Sequence, residues 1–273
     1  MRAIVIAVGS ELLRLHRSDT NSLFLGRCLE EAGIWVDLKL VVPDDREYLA
    51  WVVKHTVKRA QLLVLTGGLG PTEDDITREA VAQALRVDLE YREELMERIQ
   101  ALLLSRGVRQ APAINSRQAF LLSGAEALDN PLGTAPGQWL EFEGCRILLL
   151  PGPPAENQPM FRSVFQERIR PLSQYHIARR QLLLGGISEA EADSMMAEEY
   201  RRYREVDTTL LAGTGLIEVH LLSRSRKDPE EAEARVEGLA ERLRRLMAPW
   251  LLHEGDSDPW QAWLKLFRAR GWT

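Results

Sequence analysis

The densest run of residues able to do chemistry is Thr66-Gly67-Gly68-Leu69-Gly70-Pro71-Thr72-Glu73-Asp74-Asp75-Ile76-Thr77. Three glycines let a backbone approach a ligand closely, and the first N–H groups of a following helix form an anion site, so a phosphate fits here. Glu73, Asp74 and Asp75 bring negative charge to the same place and would repel a bare phosphate unless a divalent cation lay between them. The combination points to metal plus phosphate. The alternative is a glycine-rich turn whose acids serve only the dipole of the helix they start. Thr72 is spaced to cap that helix, with Asp75 three residues on, in a variant of the capping box.

Other acids occupy equivalent places. Glu11 follows an apolar run after Gly9-Ser10, and Asp44 with Asp45 follows a second run after Pro43. In a parallel sheet Glu11, Asp44 and Asp75 would meet on one rim, beyond the carboxyl ends of the strands, where open α/β sheets bind ligands. Each alone also reads as a cap or turn residue. Two further segments, Asn130-Pro131-Leu132-Gly133-Thr134-Ala135-Pro136-Gly137 and Pro151-Gly152-Pro153-Pro154-Ala155-Glu156, combine proline rigidity with glycine approach and suit a preformed wall around a planar or phosphorylated ligand. Ordinary turns are the alternative. Asn115, Arg117 and Gln118 are available to phosphates but, on a helix, read as solvated. The five histidines show no metal-ligand spacing, which argues against zinc. Gly-Gly-Leu-Gly lacks the Lys-Ser/Thr ending of a P-loop and does not fit G-x-G-x-x-G, and no G-x-S-x-G elbow occurs.

The elements that must position these residues alternate. AIVIAV, WVDLKLVV and QLLVL read as strands separated by the helical segments NSLFLGRCLEEAG and REYLAWVVKHTVKR, a β-α-β-α-β pattern that implies a parallel sheet with right-handed crossovers. Gly33 is placed to end the first helix in a left-handed cap. Helix is expected from the acidic segment to about Arg106, then a buried strand over 146–150. RPLSQYHIARRQ reads as a linker. After it come strand (181–187), helix, strand (216–225) and helix (229–247), a small α+β domain.

The 273 residues suffice for two domains, and 45% hydrophobic content fills a core. With 35 Lys plus Arg against 40 Asp plus Glu, a net charge of -5 gives no overall attraction to nucleic acid or anionic lipid. Two cysteines, Cys28 and Cys145, are too few for a disulfide framework, and no segment has the roughly 18 apolar residues of a membrane span. A cytoplasmic protein without membrane or nucleic-acid partners is expected.

Taken together, AVGSELL, DTNS (19–22), VVPDD, TGGLGPTEDDIT, NSRQA (115–119), NPLGTAPG and PGPPAE resemble the N-terminal part of the CinA (competence/damage-inducible protein) family, in order, over roughly residues 1–170. The resemblance implies an α/β fold: a three-layer, mostly parallel, molybdopterin-binding-like sheet over 1–172 and a small α+β, KH-like domain over 173–254. The latter lacks a G-x-x-G loop, which argues against RNA binding. Residues 255–273 resemble a helical stub leading to an amidase domain that deamidates nicotinamide mononucleotide and is expected to lie beyond this chain. A homodimer is the expected assembly.

For function the resemblance implies metal-dependent hydrolysis of a small-molecule nucleotide, ADP-ribose, to AMP and ribose 5-phosphate. Asp75 and Thr77 are then the leading site residues, with Asp44 and Glu11. The pyrophosphate would lie along Thr66, Gly67, Gly68, Gly70 and Pro71, walled by Asn130, Gly133, Thr134, Pro136, Gly137, Gly152, Pro154 and Glu156. Asp44 and Asp75 would hold Mg²⁺, Mn²⁺ or Co²⁺, Asp74 or Glu11 would be the base, and Arg117 would hold a phosphate. Arg117 stands where the family commonly has Lys, giving a fork in place of a movable point charge. Nucleotide or pterin binding without turnover, and adenylyl transfer to molybdopterin, are the alternatives.

Overall fold

A computed structural model describes residues 1–14, 17–226 and 228–255, together with Arg268. The expected stub at 255–273 therefore lies almost wholly outside the described residues, as do Leu15 and His16 of the loop after the first strand. The chain forms two units, Met1–Ser173 and Gln174–Thr273.

The first unit runs β1 (Arg2–Val8), α1 (Ser10–Arg14), α2 (Thr20–Glu31), β2 (Trp35–Val42), α3 (Arg46–Thr56), β3 (Leu62–Thr66), α4 (Thr77–Leu85), β4 (Leu89–Tyr91), α5 (Glu93–Ser105), β5 (Phe120–Leu122), β6 (Glu126–Leu128), β7 (Gly137–Phe142), β8 (Cys145–Leu150) and α6 (Pro154–Val164). Its main sheet has the order β2-β1-β3-β8-β7-β6. The first four strands in that order are parallel, as expected, and β7 and β6 add an antiparallel edge. Continuous apolar runs suit β1, β3 and β8 because such strands are covered on both faces. Alternate residues go to opposite layers. Ile4, Ile6, Leu63 and Leu65 meet Leu49 and Val53 of α3 and Val81 of α4. Ala3, Val5 and Val64 meet Leu25 and Leu29 of α2 and Phe161 of α6. The expected three layers are present.

The parallel register sets Val8 beside Val42, Ala7 beside Thr66, and Thr66 beside Leu150, so the loops leaving all four strands emerge side by side. Gly33 follows α2 at φ +69°, the left-handed end expected of it. The helix expected to continue to about Arg106 is instead two helices. Arg86 takes φ +59° to end α4, Val87 N–H returns to Ala82 O at 3.1 Å, and β4 then pairs with β5. The stop is hidden in the sequence because an arginine, not a glycine, occupies the left-handed position. Cys145 is buried at the start of β8, and that burial pushes its thiol up to about 11, so it remains an unreactive thiol at neutral pH.

The second unit contains β9 (His176–Gly185), α7 (Glu189–Arg202), β10 (Val206–Ala212), β11 (Leu216–Ser225), α8 (Pro229–Leu246) and β12 (Leu251–Glu254). The antiparallel order is β10-β11-β9-β12. Val236, Leu239 and Leu243 of α8 pack with Leu182, Leu184, Val219 and Leu221, giving this unit its own core. The segment read as a linker is corrected: its second half is the start of β9. Arg180 there is held by Glu233 and, at 2.9 Å, by Glu237, and these α8 partners let a basic segment serve as a strand. The short strands β10 and β12 are additions to the expected pattern. No helix among the described residues is long and apolar enough to cross a membrane.

Candidate functional site

The loops beyond the parallel strands enclose a cleft of about 870 Å³, within the range of small-molecule sites. Glu11, Asp44, Asp74 and Asp75 line it, as do Thr66, Gly67, Gly68, Gly70 and Pro71. Its far wall includes Gly133, Thr134, Gly152, Pro154 and Glu156. Among the expected contacts, Thr77, Arg117, Asn130, Pro136 and Gly137 do not line it; each is accounted for by the packing behind the wall.

The first rim is a clasp between two strand ends. Ser10 N–H donates to Asp44 Oδ2 at 2.8 Å, and Asp44 N–H donates to Ser10 Oγ at 3.1 Å. Asp45 instead caps α3, accepting from Tyr48 N–H at 2.9 Å. Half-buried Glu11 curls back over Gly9, where an added Cβ would lie 2.6 Å from its Oε1.

The glycine loop is held from behind. Gly67 takes φ +95° and leaves no room for a Cβ, which would stand 2.3 Å from Val8 O. Thr77 Oγ1 donates to Gly67 O at 2.8 Å, and a Cβ on Gly68 would meet that hydroxyl at 2.2 Å. Thr77 therefore shapes the loop from a fully buried position. Arg78, only 1% exposed, donates from Nη1 to Leu69 O at 2.6 Å and from Nη2 to Gly70 O at 2.9 Å. Gly67 N–H goes to Leu150 O and Gly70 N–H to Asp75 Oδ1. The anion cradle is narrower than expected: of these four N–H groups, those of Gly68 and Leu69 have no acceptor among the described residues.

The helix expected to begin beside Thr72 begins at Thr77. Thr-x-x-Asp closes a turn here: Asp75 accepts from Gly70 N–H at 2.8 Å and from Thr72 N–H at 2.9 Å, so the acid caps the loop's amides and not a helix. Arg117 is also corrected. Its Nη1 donates to Thr72 O, while Nη2 donates to Asp75 O at 3.1 Å and pairs with Glu79 at 3.0 Å. The guanidinium fastens the outside of the turn and is not directed at a phosphate in the cleft. Asn115 and Gln118, read as solvated, are buried; Asn115 Nδ2 donates to Gln118 Oε1 at 2.8 Å, and Gln118 lines the cleft.

On the far wall Asn130 is an organiser. Its Oδ1 accepts from Gly133 N–H at 2.9 Å, and its Nδ2 donates to Ala135 O at 2.9 Å and to Glu156 Oε2 at 2.7 Å. A Cβ on Gly133 would stand 1.9 Å from Glu156 Oε2 and 2.7 Å from Asn130 Nδ2, so a larger residue there would displace the Glu156–Asn130 pair. Gly137 sits tight against Leu149 O and Met160, which is a packing role; Pro136 lines a smaller neighbouring hollow with Leu95 and Ile99. Two asparagines hold the turn after β8: Asn157 Nδ2 donates to Pro151 O and Asn21 Nδ2 to Gly152 O, both at 2.8 Å. Arg78, Asn21 and Asn157, which hold the loops of the cleft, were not singled out by motif reading. The signal for them is the need of buried loop carbonyls for donors.

Ionisable groups in the cleft lining are mostly acids: Glu11, Asp19, Asp44, Asp74, Asp75 and Glu156 against Arg17 and Arg106. Thr72 Oγ1 lies 2.5 Å from Asp74 Oδ1 and holds that carboxyl below the ordinary aspartate value. A depressed carboxyl favours the folded state above its unfolded pKa, and this is lost as pH falls through its folded value. In Thr72→Val the Asp74 midpoint, followed by carboxyl ¹³C NMR, should rise toward the ordinary value; an unchanged midpoint would remove Thr72 as the cause. Among the described residues no group of three or more His, Cys, Asp or Glu can hold a metal ion. The expected meeting of Glu11, Asp44 and Asp75 on one rim thus provides a shared cleft but no all-protein metal cage.

Residues 4–171 match the family model described as "Probable molybdopterin binding domain". A CinA-like protein of Solibacter usitatus is 42% identical over 231 residues, covering 84% of this chain and 55% of the relative. One of Koribacter versatilis is 42% identical over 248 residues, covering 89% and 59%. The chain thus spans a little over half the length of these relatives. The crystal structure of the protein CinA of unknown function from Thermoplasma acidophilum matches at 30% identity with a TM-score of 0.57, covering 61% of this chain and 98% of that one. A fold with this rim, matched over this length, places the chain in the CinA-like family, with the molybdopterin-binding type of domain as its first unit.

Proposed function

We propose that the first unit binds a nucleotide diphosphate of the ADP-ribose type in the cleft and hydrolyses it to AMP and ribose 5-phosphate with a divalent metal. The observation that carries this reading is the pairing of the free Gly68 and Leu69 N–H groups with a surplus of acids in the same cleft. A polyphosphate answers both, since its oxygens take the donors and its counter-ion faces the acids. Ions of the magnesium type are commonly held by one or two carboxylates plus phosphate oxygens, so an ion shared with the substrate needs no three-ligand cluster, and none occurs among the described residues.

Asp44 and Asp75 would hold that ion. When bound, it neutralises charge developing on the phosphates. Ser10 fixes Asp44 from behind. Glu11 is the better base, because the hydrogen bond that depresses Asp74 makes it a weaker proton acceptor. A water oxygen bonds to one phosphorus, the bridging P–O bond breaks, and the water proton passes to Glu11.

The test is AMP release from ADP-ribose with Mg²⁺, Mn²⁺ or Co²⁺, against EDTA. Asp44→Asn keeps an acceptor for Ser10 while removing the charge, and should lower kcat by about 10²-fold or more; Glu11→Gln should lower it by about 10²–10⁴-fold. ADP-ribose bound and recovered intact would favour a second reading, capture without turnover, which the family's molybdopterin-binding description also supports. Product formation that needs both ATP and molybdopterin would mark adenylyl transfer.

A further inference from the structure

Three rings lie stacked along the outside of α3. Its inner face, with Leu49, Val52 and Val53, is buried in the core. On the outer face Tyr48 and Trp51 are 50% and 56% exposed with ring centroids 6.0 Å apart, and exposed His55 continues the row at 4.5 Å from Trp51. None of the three lines the cleft. The edge strand β2 adds Trp35 and Leu38, 51% and 40% exposed. Register sets these beside Arg2 and Ile4, on the face of the sheet that α3 covers. At about 150–250 Å² for each large aromatic side chain, roughly 350 Å² of apolar surface is left in water here, within the range of patches that commonly serve an interaction.

The charges beside the stripe say what covers it. Glu47 lies in the first turn of α3 and Lys54 in the last, seven residues apart and so on the same flank of the helix. Tyr48 and His55, also seven apart, share the other flank. Among the described residues Glu47 is met by Gln83 Nε2 at 2.8 Å, and neither Glu47 nor Lys54 has an ion-pair partner. A second α3 laid antiparallel on the first, Trp51 against Trp51, sets Glu47 opposite Lys54 and Tyr48 opposite His55. Two-fold symmetry makes each pairing occur twice. We propose that α3 is the contact through which two copies of this chain associate, packed antiparallel about Trp51. The pairing is independent of the chemistry in the cleft.

Sedimentation equilibrium of the full chain tests it. The wild-type protein should dimerise reversibly, and Trp51→Glu should weaken the dimer by about 10²-fold or more, because a central tryptophan carries a large share of such a contact. Glu47→Lys and Lys54→Glu should each weaken it by about tenfold, since like charges then face each other. An equimolar mixture of those two variants should form a mixed dimer at nearly wild-type strength, each chain supplying the charge that the other lacks. All three side chains are exposed, so far-UV circular dichroism should be unchanged, which separates a lost contact from a lost fold. A wild-type chain that stays monomeric at every concentration would overturn the proposal and leave the stripe to a different protein. A dimer that survives Trp51→Glu would overturn it too, as would charge variants that pair no better mixed than alone.

Discussion

Gly67→Ala should cost about 3–5 kcal/mol of folding stability and lower the Tm of the first unit by roughly 8–16 °C. Two costs combine. An L residue at φ +95° is strained, by about 1–2 kcal/mol, and the new Cβ would stand 2.3 Å from Val8 O and 3.3 Å from Val8 C. Neither neighbour can yield, because Val8 ends the central strand β1 and Gly67 N–H is bonded to Leu150 O at 3.0 Å. Gly107→Ala separates the two costs. Its φ is +84° with nothing within 4 Å of the built Cβ, so it should lose only about 1 kcal/mol. Chemical denaturation of both variants is the measurement, and equal losses would show that the approach to Val8 is looser than described.

Arg78→Met should cost about 2–4 kcal/mol by the same measurement, through the carbonyls of Leu69 and Gly70 that lose their donors. The gain from no longer burying a cation offsets part of it. Burial already pulls the Arg78 pKa down, with Glu79 and Asp75 pulling it back up. Arg78→Lys should fall between, since a single ammonium nitrogen lacks the fixed two-nitrogen spacing with which the fork meets both carbonyls. Amide exchange at Gly67 and Gly70, whose N–H groups are bonded to Leu150 O and Asp75 Oδ1, should accelerate in both variants while β1 amides change little. A loop that stays as protected in Arg78→Met would show that Thr77 suffices to hold it.

The strands and most helices were legible because their apolar periods are unmixed: AIVIAV, QLLVL and RILLL have no other use than a doubly covered sheet. Parallel pairing then carried Glu11, Asp44 and Asp75 to one cleft without further information. The loop's fastenings were less legible, since each joins distant segments. Arg117 reaches back to Thr72 and Asp75, and the sequence near Arg117 holds no trace of that acceptor. Arg78 reads as a solvated helix residue because arginine is so seldom fully buried. Thr72 with Asp75 has the spacing of a helix cap and of a closed turn alike, and only the start of α4 at Thr77 separates them. Sequence spacing found where the carboxylates go, whereas buried backbone decided what they bond to.

The sheet order has a consequence for how the protein is made. β3 pairs on one side with β1, already synthesised, and on the other with β8, which begins only at Cys145. At about 5–20 residues per second on the ribosome, an unpaired apolar edge at Leu62–Thr66 persists for roughly 4–16 s of elongation. The antiparallel β6 and β7 emerge earlier, but β7 borders β8 and β6 borders β7, so neither can cover β3 in native register. The glycine loop leaving β3 and the turn leaving β8 become neighbours in the same event, so a nascent chain that stalls before β8 exposes a sticky strand and carries no cleft.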